Sequence, residues 1–271
     1  MPRYPRLRSA LCVFSLLGVL LLFAVTVVYT RRDRSNFNPA LASGSDKLTK
    51  LPRTILWAWE RPEQLDFLDT TETTVAFLAK TIQLRGARVV ARPRLQPLKV
   101  PPGAPLIAVA RIESDPIEHP ALTSAQLHET AREIAELSGQ PNVVAVQIDF
   151  DATLSERAFY RNLLFELRAQ LRAGTALSIT ALASWCKGDN WLEELPIDEA
   201  VPMLFRMGID KHQVLSQLNE GEPFTSSKCR QSAGVSTDEP IARLPATQRL
   251  YVFNPRSWSP TSVGALLQKK L

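Results

Sequence analysis

The residues best placed to do chemistry lie in one short run, Val143–Asp151, which reads VVAVQIDFD. Side chains alternate between the two sides of an extended chain. Val144, Val146, Ile148 and Phe150 therefore share one wholly apolar face, and Ala145, Gln147, Asp149 and Asp151 share the other. Two acids stacked on one interior face repel, and burial pushes one carboxyl towards its neutral form. A neutral acid beside an ionised one is what a general acid requires. The competing role is structural: Asp149 pairs with an arginine, and Asp151 caps a helix that begins near Ser155.

Asp149 and Asp151 stand on one face of one strand, so they do not readily flank a reacting bond from opposite sides. A two-carboxylate reaction then needs a third acid from another strand, or a nucleophile carried by the substrate. Glu60, Glu113, Asp238 and Glu239 are the candidates, and Glu60 and Glu113 follow expected strands near their C-terminal ends. Each of these acids could equally pair with Arg61, Arg111 or Arg206. Of the five tryptophans, Trp59, Trp185 and Trp258 fall at expected strand ends or loops. Flat aromatic faces suit the apolar faces of sugar rings, and they also fill cores. Arg206, in LFRMG, ends a strand at the same rim, where it binds an anionic group or neutralises Asp149. The expected site thus has Asp151 and Asp149 in the catalytic role. Trp59, Glu60, Arg111, Glu113, Gln147, Trp185, Arg206 and Glu239 are its expected substrate contacts.

Other chemistries lack their patterns. His119, His128 and His212 have no partner spacing and read as surface residues. Ser184 lacks the GxSxG setting of a serine hydrolase. No HExxH or paired CxxC occurs, so neither a metal nor any other cofactor is expected. Cys186 and Cys229 are either a disulfide or two free buried thiols; the first would require an oxidising compartment.

The elements that must position these residues alternate. Expected strands are Thr54–Trp59, Val75–Ala79, Ala87–Ala91, Leu106–Ile112, Val143–Phe150, Ala176–Ala183, Val201–Phe205 and Arg249–Phe253. Helical patterns cover Ser124–Leu137, Ser155–Arg172 and Ser259–Lys270, with a shorter one after Asp210. Alternating strands and helices imply βαβ units and a parallel sheet. No GxGxxG or GxxxxGK[ST] follows a strand, which removes the usual reason for an open nucleotide-binding sheet. About eight strands favour an α/β fold closed as a compact (β/α)8 barrel of the TIM type, short at about 220 residues. Its sites would lie at the C-terminal ends of the strands.

The chain ahead of this domain is different. Leu11–Tyr29 holds no charged residue, and Arg3, Arg6 and Arg8 precede it while Arg31, Arg32 and Arg34 follow. Roughly 20 apolar residues cross the hydrocarbon core as a helix. The rival is a cleavable signal, but the one good small-x-small match, Ala40-Leu41-Ala42, lies well past the apolar run. The organisation expected is a basic segment over 1–8, a transmembrane signal anchor over 9–29, a linker over 30–52 and a barrel domain over 53–271. A basic N-terminus placed directly before the apolar run favours an exported, periplasmic or extracytoplasmic domain on a single-pass anchor. The net charge of +5 owes much to the arginine clusters, which suit anionic lipid headgroups. The bilayer and a carbohydrate are therefore the expected partners. With no Lys/Arg stripe interleaved with aromatics, nucleic acid is not.

Six segments carry a resemblance: WAWERPE (Trp57–Glu63), VARIE (Val109–Glu113), QIDFDA (Gln147–Ala152), TALASWC (Thr180–Cys186), PMLFRMG (Pro202–Gly208) and STDEP (Ser236–Pro240). Through them the chain resembles the bacterial DUF3142 family, which brings a likeness to glycosidase-type barrels but no settled activity. More distantly it is similar to chitinase-like family 18 glycoside hydrolase barrels, whose fourth strand carries a D-x-D-x-E run. Gln147-x-Asp149-x-Asp151 would occupy that run. The similarity implies that Asp151 protonates the leaving group and that Asp149 orients the substrate. Gln147 replaces the first Asp of the pattern and the shorter Asp151 replaces its Glu, which sets chitinase activity itself aside. The function expected is a membrane-anchored cell-envelope protein with a glycoside-hydrolase-like barrel that cleaves or modifies a polysaccharide. The alternative is a non-catalytic glycan-binding or envelope-assembly protein on the same fold.

Overall fold

A computed structural model describes residues 45–188 and 190–268. Eleven strands occur in it: β1 Thr54–Ala58, β2 Glu63–Gln64, β3 Thr73–Arg85, β4 Arg88–Pro93, β5 Leu98–Lys99, β6 Leu106–Ser114, β7 Val143–Asp149, β8 Ala176–Leu182, β9 Glu199–Met203, β10 Ser232–Ser236 and β11 Arg249–Phe253. Eight of them, β1, β3, β6, β7, β8, β9, β10 and β11, pair in parallel in chain order, and β1 bonds to both β3 and β11. The sheet therefore closes on itself as a parallel barrel of the TIM type. The helices are α1 Ser45–Thr49, α2 Ser124–Ala135, α3 Arg157–Gln170, α4 Trp185–Gly188, α5 Lys211–Glu220 and α6 Pro260–Gln268.

Not every strand is followed by a helix. The run expected as a barrel strand over Ala87–Ala91 is instead β4, an antiparallel arm folded back on β3 through Gly86. It extends the sheet beside the far half of β3. The seventh barrel strand is β10, with sequence SAGVS, which sequence reading passes over. Its five residues are all buried, yet two serines and a glycine give it no hydrophobic signature. β3 also runs six residues past its expected end, because β4 on one side and β6 on the other both bond to it.

Burial divides the apolar residues into two layers. Val146, Ile148 and Phe150 pack outward with Tyr160, Leu163 and Leu167 of α3, while Ala131 and Ile134 of α2 join the same layer. Ile55, Trp57, Ala76, Leu78, Ile107, Val109, Ala145, Val201 and Tyr251 fill the barrel. α2 begins where Thr123 accepts a hydrogen bond from the Gln126 N–H, and α5 ends on left-handed Gly221.

The described end of the segment read as a linker is partly helical. α1 lies within it, and Leu48 is buried inside the N-terminal end of the barrel. At that end Glu199 and Arg249 form an ion pair at 2.8 Å with both side chains almost fully buried. Tyr251 donates to the other Glu199 oxygen at 2.9 Å, and Arg249 reaches the Leu48 carbonyl at 3.4 Å. The expected transmembrane segment, 9–29, lies outside the described residues. Among those residues no helix is long and apolar enough to cross a membrane.

Cys186 and Cys229 form a disulfide with their Cα atoms 5.9 Å apart, which settles the pairing that sequence leaves open. It ties α4 to the segment before β10 across a sequence separation of 43. Loop closure of that length removes enough unfolded-state entropy that Cys186→Ser with Cys229→Ser is expected to lose about 2–4 kcal/mol. Urea unfolding with and without reductant measures it; equal midpoints would count against a stabilising bridge.

Candidate functional site at the C-terminal mouth of the barrel

The alternation expected along β7 is present. Gln147 and Asp149 point into the barrel, and Asp151 follows at the mouth. β7 is the fourth strand of the barrel. Register places Asp149 beside Arg111 of β6 on one side and near Thr180 of β8 on the other. Thr180 donates to Asp149 Oδ1 at 2.7 Å, and an Arg111 nitrogen lies 3.7 Å from Asp149 Oδ2. Asp149 is only 9% exposed. Its burial raises the carboxyl above the usual range, and the Asp151 charge adds to this; the Thr180 hydrogen bond and Arg111 act in the opposite direction.

Asp151 is reachable by water yet crowded by protein atoms around the mouth. That partial desolvation raises its carboxyl too, against the lowering effect of Arg111. It does not cap α3. Glu156 stands at that N-cap position without a side-chain cap bond; its carboxylate accepts instead from the Thr153 N–H and hydroxyl, each at 2.7 Å, and from the Ser114 hydroxyl. Two carboxyls, both held towards their protonated forms, therefore share one guanidinium.

A cavity of about 500 Å³ opens over Asp149 and Asp151. Trp57, Trp59, Phe205 and Phe253 give it aromatic walls, and Arg111 and Arg206 line it as well. Phe205 and Phe253 stack with centroids 5.7 Å apart and planes 4° apart. Trp59 meets Phe253 edge-on at 6.3 Å and lies under the Arg111 guanidinium at 5.8 Å. Its loop is pinned by Arg94, whose guanidinium donates to the Ala58, Trp59 and Arg61 carbonyls. A second, more polar cavity of about 730 Å³ lies on the other side of the same wall. It shares Arg111, Asp149 and Asp151 with the first and adds Glu113, Asp115 and Glu156. Among the described residues no group of three His, Cys, Asp or Glu side chains is arranged to hold a metal ion.

The other expected contacts divide. Arg111 sits at the centre, 2.8 Å from Glu113, which faces the second cavity. Gln147 does not reach the ligand space. It lies a layer below, accepting from Trp57 Nε1 at 2.9 Å and donating to Ser178 at 3.2 Å. Trp185 is not at the mouth either: the chain turns into α4 after β8, and the indole packs edge-on against Trp191 at 5.0 Å in the outer layer. Glu60 stands at the rim, accepts from the Thr81 hydroxyl and lines neither cavity. Glu239 stands behind Arg206, accepting from its backbone N–H at 3.2 Å, and Asp238 is occupied by the Ser236 hydroxyl. Trp258 is buried and donates to the Trp57 carbonyl, so it anchors the start of α6. Arg61 pairs with buried Glu63 and not with Glu60.

Thr180, Phe205 and Phe253 were not among the expected site residues. The period of two that picks out Asp149 also finds them, since Ser178 and Thr180, Met203 and Phe205, and Tyr251 and Phe253 each share a face. The floor has a further requirement. A Cβ built on Gly234 would stand 2.8 Å from Trp57 Cη2, closer than real contacts allow. Gly234→Ala is expected to displace the indole, cost about 1–3 kcal/mol and alter the near-ultraviolet circular dichroism. An unchanged spectrum and midpoint would show that the floor accommodates the methyl.

Comparison with known proteins adds one match. Residues 102–202 fit the model of a family described as a domain of unknown function, DUF3142. No curated protein and no solved structure matches the chain. The matched stretch holds Arg111, Asp149, Asp151 and Thr180, so it is in the part of the barrel that carries both carboxyls that the chain is similar to the DUF3142 family.

Proposed function

We propose that this protein is a glycan-active enzyme of the cell envelope, with Asp151 as proton donor and Asp149 as the residue that modulates it. The observation that carries the reading is the pair itself. Two carboxyls, both raised above their usual range, stand at the C-terminal end of the fourth barrel strand and open into an aromatic-walled cavity. Raised carboxyls are what a general acid working near neutral pH requires. Trp59 and Phe253 offer flat apolar faces to a sugar ring, and Arg111 keeps the pair from repelling itself out of the barrel. The likeness of QIDFDA to the fourth-strand run of family 18 barrels agrees with these roles, with the Gln147 and Asp151 departures noted above. Placement at the membrane, on the exported side, rests on the apolar run Leu11–Tyr29 with its flanking arginines and is consistent with a disulfide in the domain.

A product screen tests this. The full chain and its Asp151→Asn variant are incubated with envelope and matrix polysaccharides, and the products are analysed by mass spectrometry. New oligosaccharides from wild type alone support the assignment. Binding by both proteins with cleavage by neither selects instead a glycan-binding protein on the same barrel.

A further inference from the structure

We propose that Arg206 reads an oxyanion on the substrate, so that the glycan taken by this cavity carries carboxylate or sulfate groups. The inference rests on the glycan reading above and narrows its substrate class.

Arg206 has a left-handed backbone, with φ of 50°, although it is neither glycine nor asparagine. That conformation is strained for a residue with a Cβ, which crowds the following carbonyl oxygen. Such strain persists where the surroundings over-determine it, often because a side chain must be aimed. Here Glu239 holds the conformation through the Arg206 N–H and is itself 3.7 Å from Lys211. Glu239 is thus engaged by that backbone N–H and by Lys211.

The side chain that this loop presents lies over Phe253 at 5.0 Å and lines the aromatic cavity. Among the described residues its guanidinium has one acidic partner, Asp238 Oδ2 at 3.9 Å, a long exposed ion pair beyond hydrogen-bond distance. The Arg206 side chain remains 58% exposed. Arg111, the other guanidinium in the cavity, is engaged by Glu113 and Asp149. Arg206 is therefore the cavity cation whose donors are left for a ligand. Its planar fork matches a carboxylate or sulfate, and the Phe253 face behind it fixes its plane. Asp210 also lines the cavity, and no ion pair joins it to Arg206.

Calorimetry on full-length Asp151→Asn protein, in which cleavage is expected to be lost, provides the test. The probes are polygalacturonate and its carboxyl-reduced form, and dextran sulfate and dextran. Adding Arg206→Gln to that protein is expected to weaken binding of an acidic polymer at least tenfold, with little effect on a neutral one. Arg92→Gln, on the exposed β4 arm, is expected to change nothing. The N-terminal arginine clusters are the same in every variant, so they do not contribute to the difference. Preference between the first and second acidic probe separates carboxylate from sulfate. A change under twofold in Arg206→Gln, binding of the neutral forms as tight as the acidic ones, or no binding of any acidic probe overturns the proposal. Acidic binding that depends on Arg206 in a wild-type chain that cleaves nothing would sink the enzyme reading alone.

Discussion

Asp151→Asn is expected to fold like the wild type and to lose turnover by roughly 10²- to 10⁴-fold, the usual contribution of a positioned general acid. Folding should survive because Asp151 is exposed and does not stand at the N-cap of α3, and because the loop before that helix is held by the Glu156–Thr153 bonds. The pH dependence should be specific. A proton donor works only while protonated, so activity falls as pH rises through its pKa. Desolvation sets that limb above the ordinary carboxylate range. Arg111 lowers the Asp151 carboxyl, so Arg111→Leu should move the limb to higher pH, whatever it does to affinity. A pH–rate profile on the polymer found in the screen checks both; full activity in Asp151→Asn ends the assignment.

The same shift has a consequence for stability. Asp149 is raised in the folded state, so between about pH 4 and its folded pKa the native protein binds more protons than the unfolded chain. Its contribution is present in full below the unfolded value and is lost as pH rises through the folded one. Asp149→Asn retains an acceptor for Thr180 and cannot ionise. Its melting temperature relative to wild type should therefore rise from acid towards neutral pH. The opposite slope would mean that Arg111 outweighs burial.

The second large effect lies at the other end of the barrel. Arg249→Met leaves Glu199 buried without its ion-pair partner, and a loss of about 3–5 kcal/mol is expected. Attraction between two buried charges roughly offsets the cost of dehydrating them, whereas a lone buried charge has only the cost. Adding Glu199→Leu to Arg249→Met should therefore recover much of the loss. A double-mutant cycle by denaturant unfolding measures the coupling. Additive losses would show that the pair acts through packing alone.

What sequence determines here is local and periodic. Alternation of two along VVAVQIDFD settles that Gln147 and Asp149 face inward and Val146, Ile148 and Phe150 outward, because the pleat of a strand imposes it. The apolar strands and the α2, α3 and α6 patterns suffice for an α/β barrel, since βαβ units feed a parallel sheet. Even so, the expected count of eight holds only through a compensating pair: the sequence pattern reads β4 as a barrel strand and gives no signal for β10. Residues in SAGVS are buried by what surrounds them, above all the Trp57 ring against Gly234, and not by their own hydrophobicity.

Closure of the sheet decided the rest. Which residues stand beside Asp149 depends on hydrogen-bond register between strands more than 30 residues apart, and that brings Arg111 and Thr180 to it. Trp185 follows a strand end as Trp59 does, yet one local turn sends its ring to the outer layer and the other keeps its ring at the mouth. Adjacency in sequence fixes neither outcome, because the direction of a side chain after the last strand residue is set by the neighbours its loop meets. The left-handed turn at Arg206 is of the same kind: it exists because Glu239, 33 residues away, holds it in place.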